Sequence, residues 1–305
     1  MSGGSALARR YYEEVGRPAF VRALPDLVPR MAFGLAGEGS ECFGFDDRLS
    51  HDHDWGPAFC IWLEQEDWRA HGERVQAVYA ALPGLDGRPP RQSGTLSGGR
   101  IGCLCRQQWF SRYTGAPDGP HTLSEWRRAP EAFLATATNG EVFADPVGQF
   151  TAVRQRLLAF YPEDVRLKKL AARAAVMAQA GQYNYPRCVL RGEAVAAKLA
   201  LAEFLRAAMS MVYLLNRRYA PFYKWMHRGL RELPVLPRVS GLLEELCRGE
   251  VPMQEGIERI CLLCAAELRR QGLSGSGETF LQAHCAELTA RIKDDALRQA
   301  HFMEE

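Results

Sequence analysis

Two short apolar runs stand out in the first fifth of the chain, Met31-Ala32-Phe33-Gly34-Leu35-Ala36 and Ala58-Phe59-Cys60-Ile61-Trp62-Leu63. Neither contains a charge and both are too short for a helix, so they read as buried strands. Residues 101–106 (Ile101-Gly102-Cys103-Leu104-Cys105-Arg106) read as a third strand, and Glu141-Val142-Phe143-Ala144 as a short fourth that ends in a turn at Asp145-Pro146. Helical spacing surrounds these runs. Leu7, Tyr11, Tyr12, Val15, Phe20, Val21 and Leu24 predict one or two helices over 5–28, interrupted by Pro18 and Pro25. Trp68, Val75, Val78, Tyr79 and Leu82 mark a helix over 64–82. Residues 122–136 read as another, with Thr122 and Glu125 spaced for a capping box.

The pattern changes near Gly148. One helix ends at Leu157, Leu158 and Phe160. Another starts at Pro162-Glu163-Asp164 and runs to about Ala180, since proline in the first turn followed by acidic residues suits a helix N-terminus. The longest helix is expected over 191–217, with a break at Pro221 and further helices over 222–232, 240–248, 252–271 and 276–300. No strand pattern follows Asp145. The expected fold class is therefore α+β: an N-terminal domain, 1–150, with a mixed sheet and flanking helices, then an all-α helical bundle, 151–305, whose short connections favour antiparallel packing.

Composition narrows the function classes. Hydrophobic residues make up 47% of 305 and charged residues 24%, enough apolar material for a sizeable core. The net charge of +2 is too balanced to argue for nucleic acid or an anionic membrane as partner. No apolar run is long enough to span a bilayer, so no membrane association is expected. Met1-Ser2-Gly3-Gly4-Ser5 leads into Arg9-Arg10 without an apolar core segment, so a signal peptide is not expected and a cytoplasmic location is. The nine cysteines are an odd number scattered along the chain, which suits reduced, buried thiols. Cys103-x-Cys105 and Cys261-x-x-Cys264 have no second pair at zinc-finger spacing.

The candidate chemistry lies between the first two strands. Gly37-Glu38-Gly39-Ser40 follows the first, and Asp52-His53-Asp54 precedes the second. In an extended segment Asp52 and Asp54 share a face and His53 points opposite. Two carboxylates on one face repel unless a cation lies between them. Mg²⁺, a hard ion satisfied by one or two carboxylates plus water and phosphate oxygens, suits them. Gly39 and Ser40 offer backbone N–H groups and a hydroxyl, with no side chain at Gly39 to block a polyphosphate. Asp46 and Asp47 suit a turn or a cap. His51 and His53 alternate with the aspartates and suit turn or supporting roles.

A Gly-Ser pair, eleven residues, then Asp-x-Asp resembles the signature of the nucleotidyltransferase superfamily, the group that includes kanamycin and lincosamide nucleotidyltransferases and DNA polymerase beta. The phrases Gly44-Phe45-Asp46-Asp47, Asp52-His53-Asp54-Trp55-Gly56-Pro57, Gly181-Gln182-Tyr183-Asn184-Tyr185 and Pro221-Phe222-Tyr223-Lys224-Trp225 are similar to a bacterial branch known only as a domain of unknown function. That likeness runs from about residue 30 to residue 235. The resemblance implies a nucleotidyltransferase fold and a Mg²⁺-dependent transfer of NMP from an NTP to an acceptor, with Asp52 and Asp54 as catalytic metal ligands for one or two ions. Gly39 and Ser40 would hold phosphate. The base of the NTP and the acceptor stay open. Members of the superfamily often carry a third carboxylate on the next strand, as general base or second-metal ligand. Residues 101–106 contain none, which leaves Glu141 and Asp145 as nearby candidates.

In that superfamily a helical bundle closes over the nucleotide. Arg187, Arg191 and Lys198, at spacings of four and seven, are expected to share one helix face suited to a triphosphate or to a solvated basic surface. Lys224, among the aromatics of 219–225, is the further phosphate candidate. Two other functions fit the same residues. A catalytically degenerate protein of the same fold would bind a nucleotide as a regulator, and a metal-dependent hydrolase would use the Asp/His cluster.

Overall fold

The computed structural model describes residues 3–51, 56–91 and 100–303. They form two compact units. Unit 1 comprises Met1–His121 and Phe133–Ala159, and unit 2 comprises Thr122–Ala132 and Phe160–Glu305. A small mixed sheet with flanking helices is thus followed by a large helical bundle.

Unit 1 opens with α1 (Gly4–Tyr11), which passes through a π-helical turn (Tyr12–Gly16) into α2 (Arg17–Ala23). Pro18 is the second residue of α2, directly after the π-helical turn. The strands follow as β1 (Ala32–Leu35), β2 (Cys60–Leu63), β3 (Gly102–Cys105) and β4 (Glu141–Ala144). Their order in the sheet is β3-β2-β1-β4. β1 runs antiparallel to both β2 and β4, and β2 runs parallel to β3. Every residue of β1 and β2 is buried, as expected for uncharged strands covered on both faces.

Side-chain alternation sorts the two cores. Phe33, Phe59, Ile61 and Leu63 pack with Tyr11, Tyr12, Phe20, Val75 and Tyr79, so α1, α2 and α4 (Gln65–Ala80) cover one face. Gly16 allows this approach, because a Cβ there would lie 2.5 Å from Phe59 Cζ. On the other face Trp62 stacks on Phe150 at 3.9 Å between ring centroids and meets Trp109 edge-on. These rings come from α5 (Arg106–Thr114) and α8 (Gln149–Leu158).

The helix expected over 122–136 is two, α6 (Leu123–Arg128) and α7 (Glu131–Thr138), because Pro130 cannot continue a helical hydrogen-bond ladder. The capping box at Thr122 and Glu125 forms in full. Arg154 of α8 donates to the carbonyls of Thr138, Asn139 and Gly140, which closes the C-terminal end of α7.

In unit 2, α9 (Glu163–Val176) runs on as a π-helical stretch (Met177–Asn184) before α10 (Tyr185–Leu190) and the 22-residue α11 (Ala194–Leu215). Gly181 lets α11 approach, since a Cβ there would lie 2.3 Å from the buried Phe204 ring. The bundle continues through α12 (Tyr223–Leu230), α13 (Arg238–Arg248) and α14 (Met253–Arg270). Residues 276–300 do not form the single helix expected. They form a 3₁₀ turn (Leu281–His284), α15 (Cys285–Ala290) and α16 (Asp295–Gln299). Local polar bonds compete with the helix here: His284 bonds Ser274 Oγ and the Glu278 carbonyl, and Asp294 caps α16 through the N–H of Leu297. Buried cations close other ends. Lys168 donates to the carbonyls of Leu297 and Ala300 at the end of α16, and Arg166 to that of Leu214 near the end of α11. Among the described residues no helix is long and apolar enough to cross a membrane. All nine cysteines are free thiols.

Candidate functional site

The strand directions gather four chain ends at one edge of the sheet of unit 1. Because β1 is antiparallel to β2 and β4, and β3 parallel to β2, the C-terminal end of β1 lies beside the N-terminal ends of the other three. The Gly37–Ser40 turn leaves β1 there. Residues 56–59, which follow Asp54 in the sequence, lead into β2 there, and Arg100 leads into β3. Asp52 and Asp54, with His53 and Trp55, lie outside the described residues, as do Ser97, Gly98 and Gly99.

Asn139, just before β4, fixes the turn. Its Nδ2 donates to the Gly37 carbonyl at 2.7 Å and its Oδ1 accepts from the Gly37 N–H at 3.1 Å. Ser40 opens a one-turn helix, α3 (Ser40–Phe43), with Gly39 at the N-cap position. Ser40 is half-buried. Gly39 has φ −67° and ψ 149°, which any residue adopts, so its small size serves space and not backbone freedom. A Cβ at Gly39 would lie 2.3 Å and 2.4 Å from the two carboxylate oxygens of Glu41. Glu41 in turn pairs with Arg91 Nη1 at 2.8 Å, with the two side chains 12% and 8% exposed. The void beside this pair, lined by Gly4, Ala8, Leu35, Gly56 and Ala58, measures about 10 Å³, room for no more than a water.

Glu38 holds the neighbouring cations. Arg100 Nη2 reaches its Oε2 at 2.8 Å, and Arg112 Nη2 reaches its Oε1 at 2.9 Å. Tyr113 donates to the same Oε1 at 3.5 Å, and burial, reinforced by Glu38, pushes its phenol up. Three arginines therefore surround the Gly-Ser turn, each on a carboxylate. Nothing in the local sequence around Arg91, Arg100 or Arg112 distinguishes them from surface cations, and only the fold brings them to the turn. Cys60, at the start of β2, donates to the carbonyls of Ala36 and Arg100, and burial raises its thiol to about 12. It is a structural thiol here and not a nucleophile.

The other acidic residues have local employment. Asp46 accepts from the N–H of Gly4, and Asp47 from those of Leu49 and Ser50, the turn and cap roles expected. Asp145 accepts from Gly148 and Thr151 and so caps α8. Glu141 on β4 takes a bidentate contact from Arg9. β3 carries no carboxylate. Among the described residues no group of three or more His, Cys, Asp and Glu stands close enough to hold a metal ion.

In unit 2, Gly192 in the left-handed region (φ 73°) ends α10 and separates it from α11. Arg187 lies on α10, Arg191 is its C-cap and Lys198 lies on α11, so the single face expected for the three does not form. Arg187 sits over the Tyr183 ring at 4.7 Å, and Lys224 over the Trp225 ring at 5.5 Å. Arg187, Arg191 and Lys224 are all exposed.

A family model described as Domain of unknown function (DUF4037) matches residues 126–226. The match spans about a third of the chain. It includes the phrases at 181–185 and 221–225 but neither Gly39-Ser40 nor Asp52-x-Asp54. No curated protein and no solved structure matches the chain.

Proposed function

We propose that the protein is a Mg²⁺-dependent nucleotidyltransferase that moves an NMP from an NTP to an acceptor and releases pyrophosphate. The observation that carries this reading is the convergence of the Gly39-Ser40 turn and the chain that leads from Asp52-x-Asp54 at one end of a mixed sheet, between antiparallel neighbours β1 and β2. Asp52 and Asp54 would hold the metal, which when bound would neutralise phosphate charge and favour loss of pyrophosphate. The Ser40 hydroxyl and the first N–H groups of α3 would take the outer phosphates. Arg100 and Arg112 would exchange Glu38 for the triphosphate, since a guanidinium fork binds phosphate at least as well as carboxylate. Arg187, Arg191 and Lys224 are the further phosphate candidates of the helical unit.

A second reading draws on β3 (Gly102–Cys105), which supplies no carboxylate, while Glu141 and Asp145 are engaged elsewhere. It makes the chain a degenerate member of the fold that binds a nucleotide as a regulator. Isothermal titration with ATP, GTP, CTP and UTP, with and without Mg²⁺, tests the site. Mg²⁺-dependent binding that disappears in Asp52→Ala/Asp54→Ala supports both readings, and pyrophosphate release in an acceptor screen selects the first. Wild-type turnover in either single aspartate variant would refute the metal assignment.

A further inference from the structure

The helical unit has its own cavity, of about 550 Å³, between α6, the start of α7, α9, α11 and the start of α12. That volume suits a small metabolite. All of its lining residues fall within the segment that the family model matches.

Its walls are strongly cationic. Arg127, Arg128, Lys169, Arg173 and Arg206 line it, against two carboxylates, Glu131 and Glu203. Glu203 is already neutralised by Arg206 Nη2 at 2.6 Å. The excess of three positive charges in one concave site suits a dianion better than a monoanion. Glu131 has a different function. Its Oε2 accepts from Ser210 Oγ at 2.9 Å, and Ser210 accepts from Arg173 Nε at 2.7 Å, so the carboxylate is fixed in place. Its Oε1 is buried and has no hydrogen-bond partner among the described residues. A carboxylate oxygen removed from water is costly unless a donor reaches it. Val176, Ala207, Phe222 and Met226 complete the lining with an apolar wall.

We propose that this cavity binds a small phosphomonoester that also carries an amine or hydroxyl. The phosphate, close to doubly charged at neutral pH, lies among the arginines and Lys169. The amine or hydroxyl donates to Glu131 Oε1, and the carbon frame between them rests on the apolar wall. This site stands whether or not the sheet unit transfers nucleotides.

The test is isothermal titration of the full chain with O-phosphoethanolamine, inorganic phosphate and ethanolamine. Saturable binding of phosphoethanolamine is expected, at least about tenfold tighter than either fragment. Arg206 is exposed, so Arg206→Gln leaves the fold intact and is expected to weaken binding at least about fivefold. Glu131→Gln is expected to remove most of the preference over inorganic phosphate, and Asp52→Ala/Asp54→Ala to change nothing. Circular dichroism confirms the fold of each variant. Lack of saturable binding to about 10 mM, a Kd unmoved by both Arg206→Gln and Arg127→Gln, or loss of binding in the aspartate double variant would each overturn the assignment.

Discussion

Replacing Gly39 by alanine separates the packing role of the Gly-Ser turn from any role in phosphate binding. The backbone accepts alanine without strain, and the smaller entropy of the unfolded chain favours the variant by about 0.4–1 kcal/mol. Against this, the new Cβ would fall 2.3 Å from Glu41 Oε1. The end of a glutamate is ordinarily free to move, but this one is held by Arg91 at 2.8 Å in a nearly buried pair. Separating such a pair costs about 3–5 kcal/mol when one charge is left without its partner, and less here because Glu41 can turn toward water. The expected net effect is a loss of about 1–3 kcal/mol, the difference of these opposed contributions. For a unit of this size that lowers Tm by roughly 2–4 °C per kcal/mol. Urea unfolding followed by tryptophan fluorescence measures it, because Trp62 and Trp109 lie in the core of the same unit. The decisive comparison is Gly39→Ala in a Glu41→Ala background, where the obstruction is gone and the substitution is expected to be neutral or slightly stabilising. An equal loss in both backgrounds would refute the reasoning.

Gly181→Ala is expected to destabilise the helical unit by about 1–3 kcal/mol, since its Cβ meets the ring of the fully buried Phe204; Phe204→Leu in the same chain is expected to recover part of that loss in a thermal melt. The Glu267 carboxyl is held below its ordinary value by hydrogen bonds from Arg270 and Gln271, against the opposing effect of burial. Its stabilising contribution is therefore complete above the ordinary carboxylate pKa and is lost as pH falls through the lower folded value. The stability difference between wild type and Glu267→Gln is expected to shrink across that acid window, and a difference that grows there would contradict the sign. Native thiol labelling is expected to modify Cys247 first, the exposed cysteine, with Cys247→Ser removing the fast phase. Cys60, Cys264 and Cys285, whose thiols burial raises to about 12, are expected to react only after unfolding.

The strands were legible because an uncharged run of six residues has few alternatives to a buried strand, and β1 and β2 form within the two runs that carry that pattern. The capping box at Thr122 was legible for a similar reason, since both halves of the interaction lie three residues apart. Helix periodicity failed where local polar bonds or a single backbone angle override it. Nothing near Ser274 or Asp294 announces that their side chains outbid a continuous helix over 276–300. Gly192 looks like an ordinary helix residue until its left-handed backbone divides Arg191 from Lys198.

The site divides along the same line. The sequence by itself determined which residues carry candidate chemistry, Gly39-Ser40 and Asp52-x-Asp54, because chemistry depends on residue type and spacing. Only the tertiary structure decided what surrounds the turn. Glu41 with Arg91, and Glu38 with Arg100 and Arg112, are paired across 50 to 74 positions of chain. The cavity of the helical unit likewise draws Arg127, Arg173 and Arg206 from three helices. Such groupings depend on how helices and strands pack, and packing is set by the summed burial of many side chains, which no local pattern records.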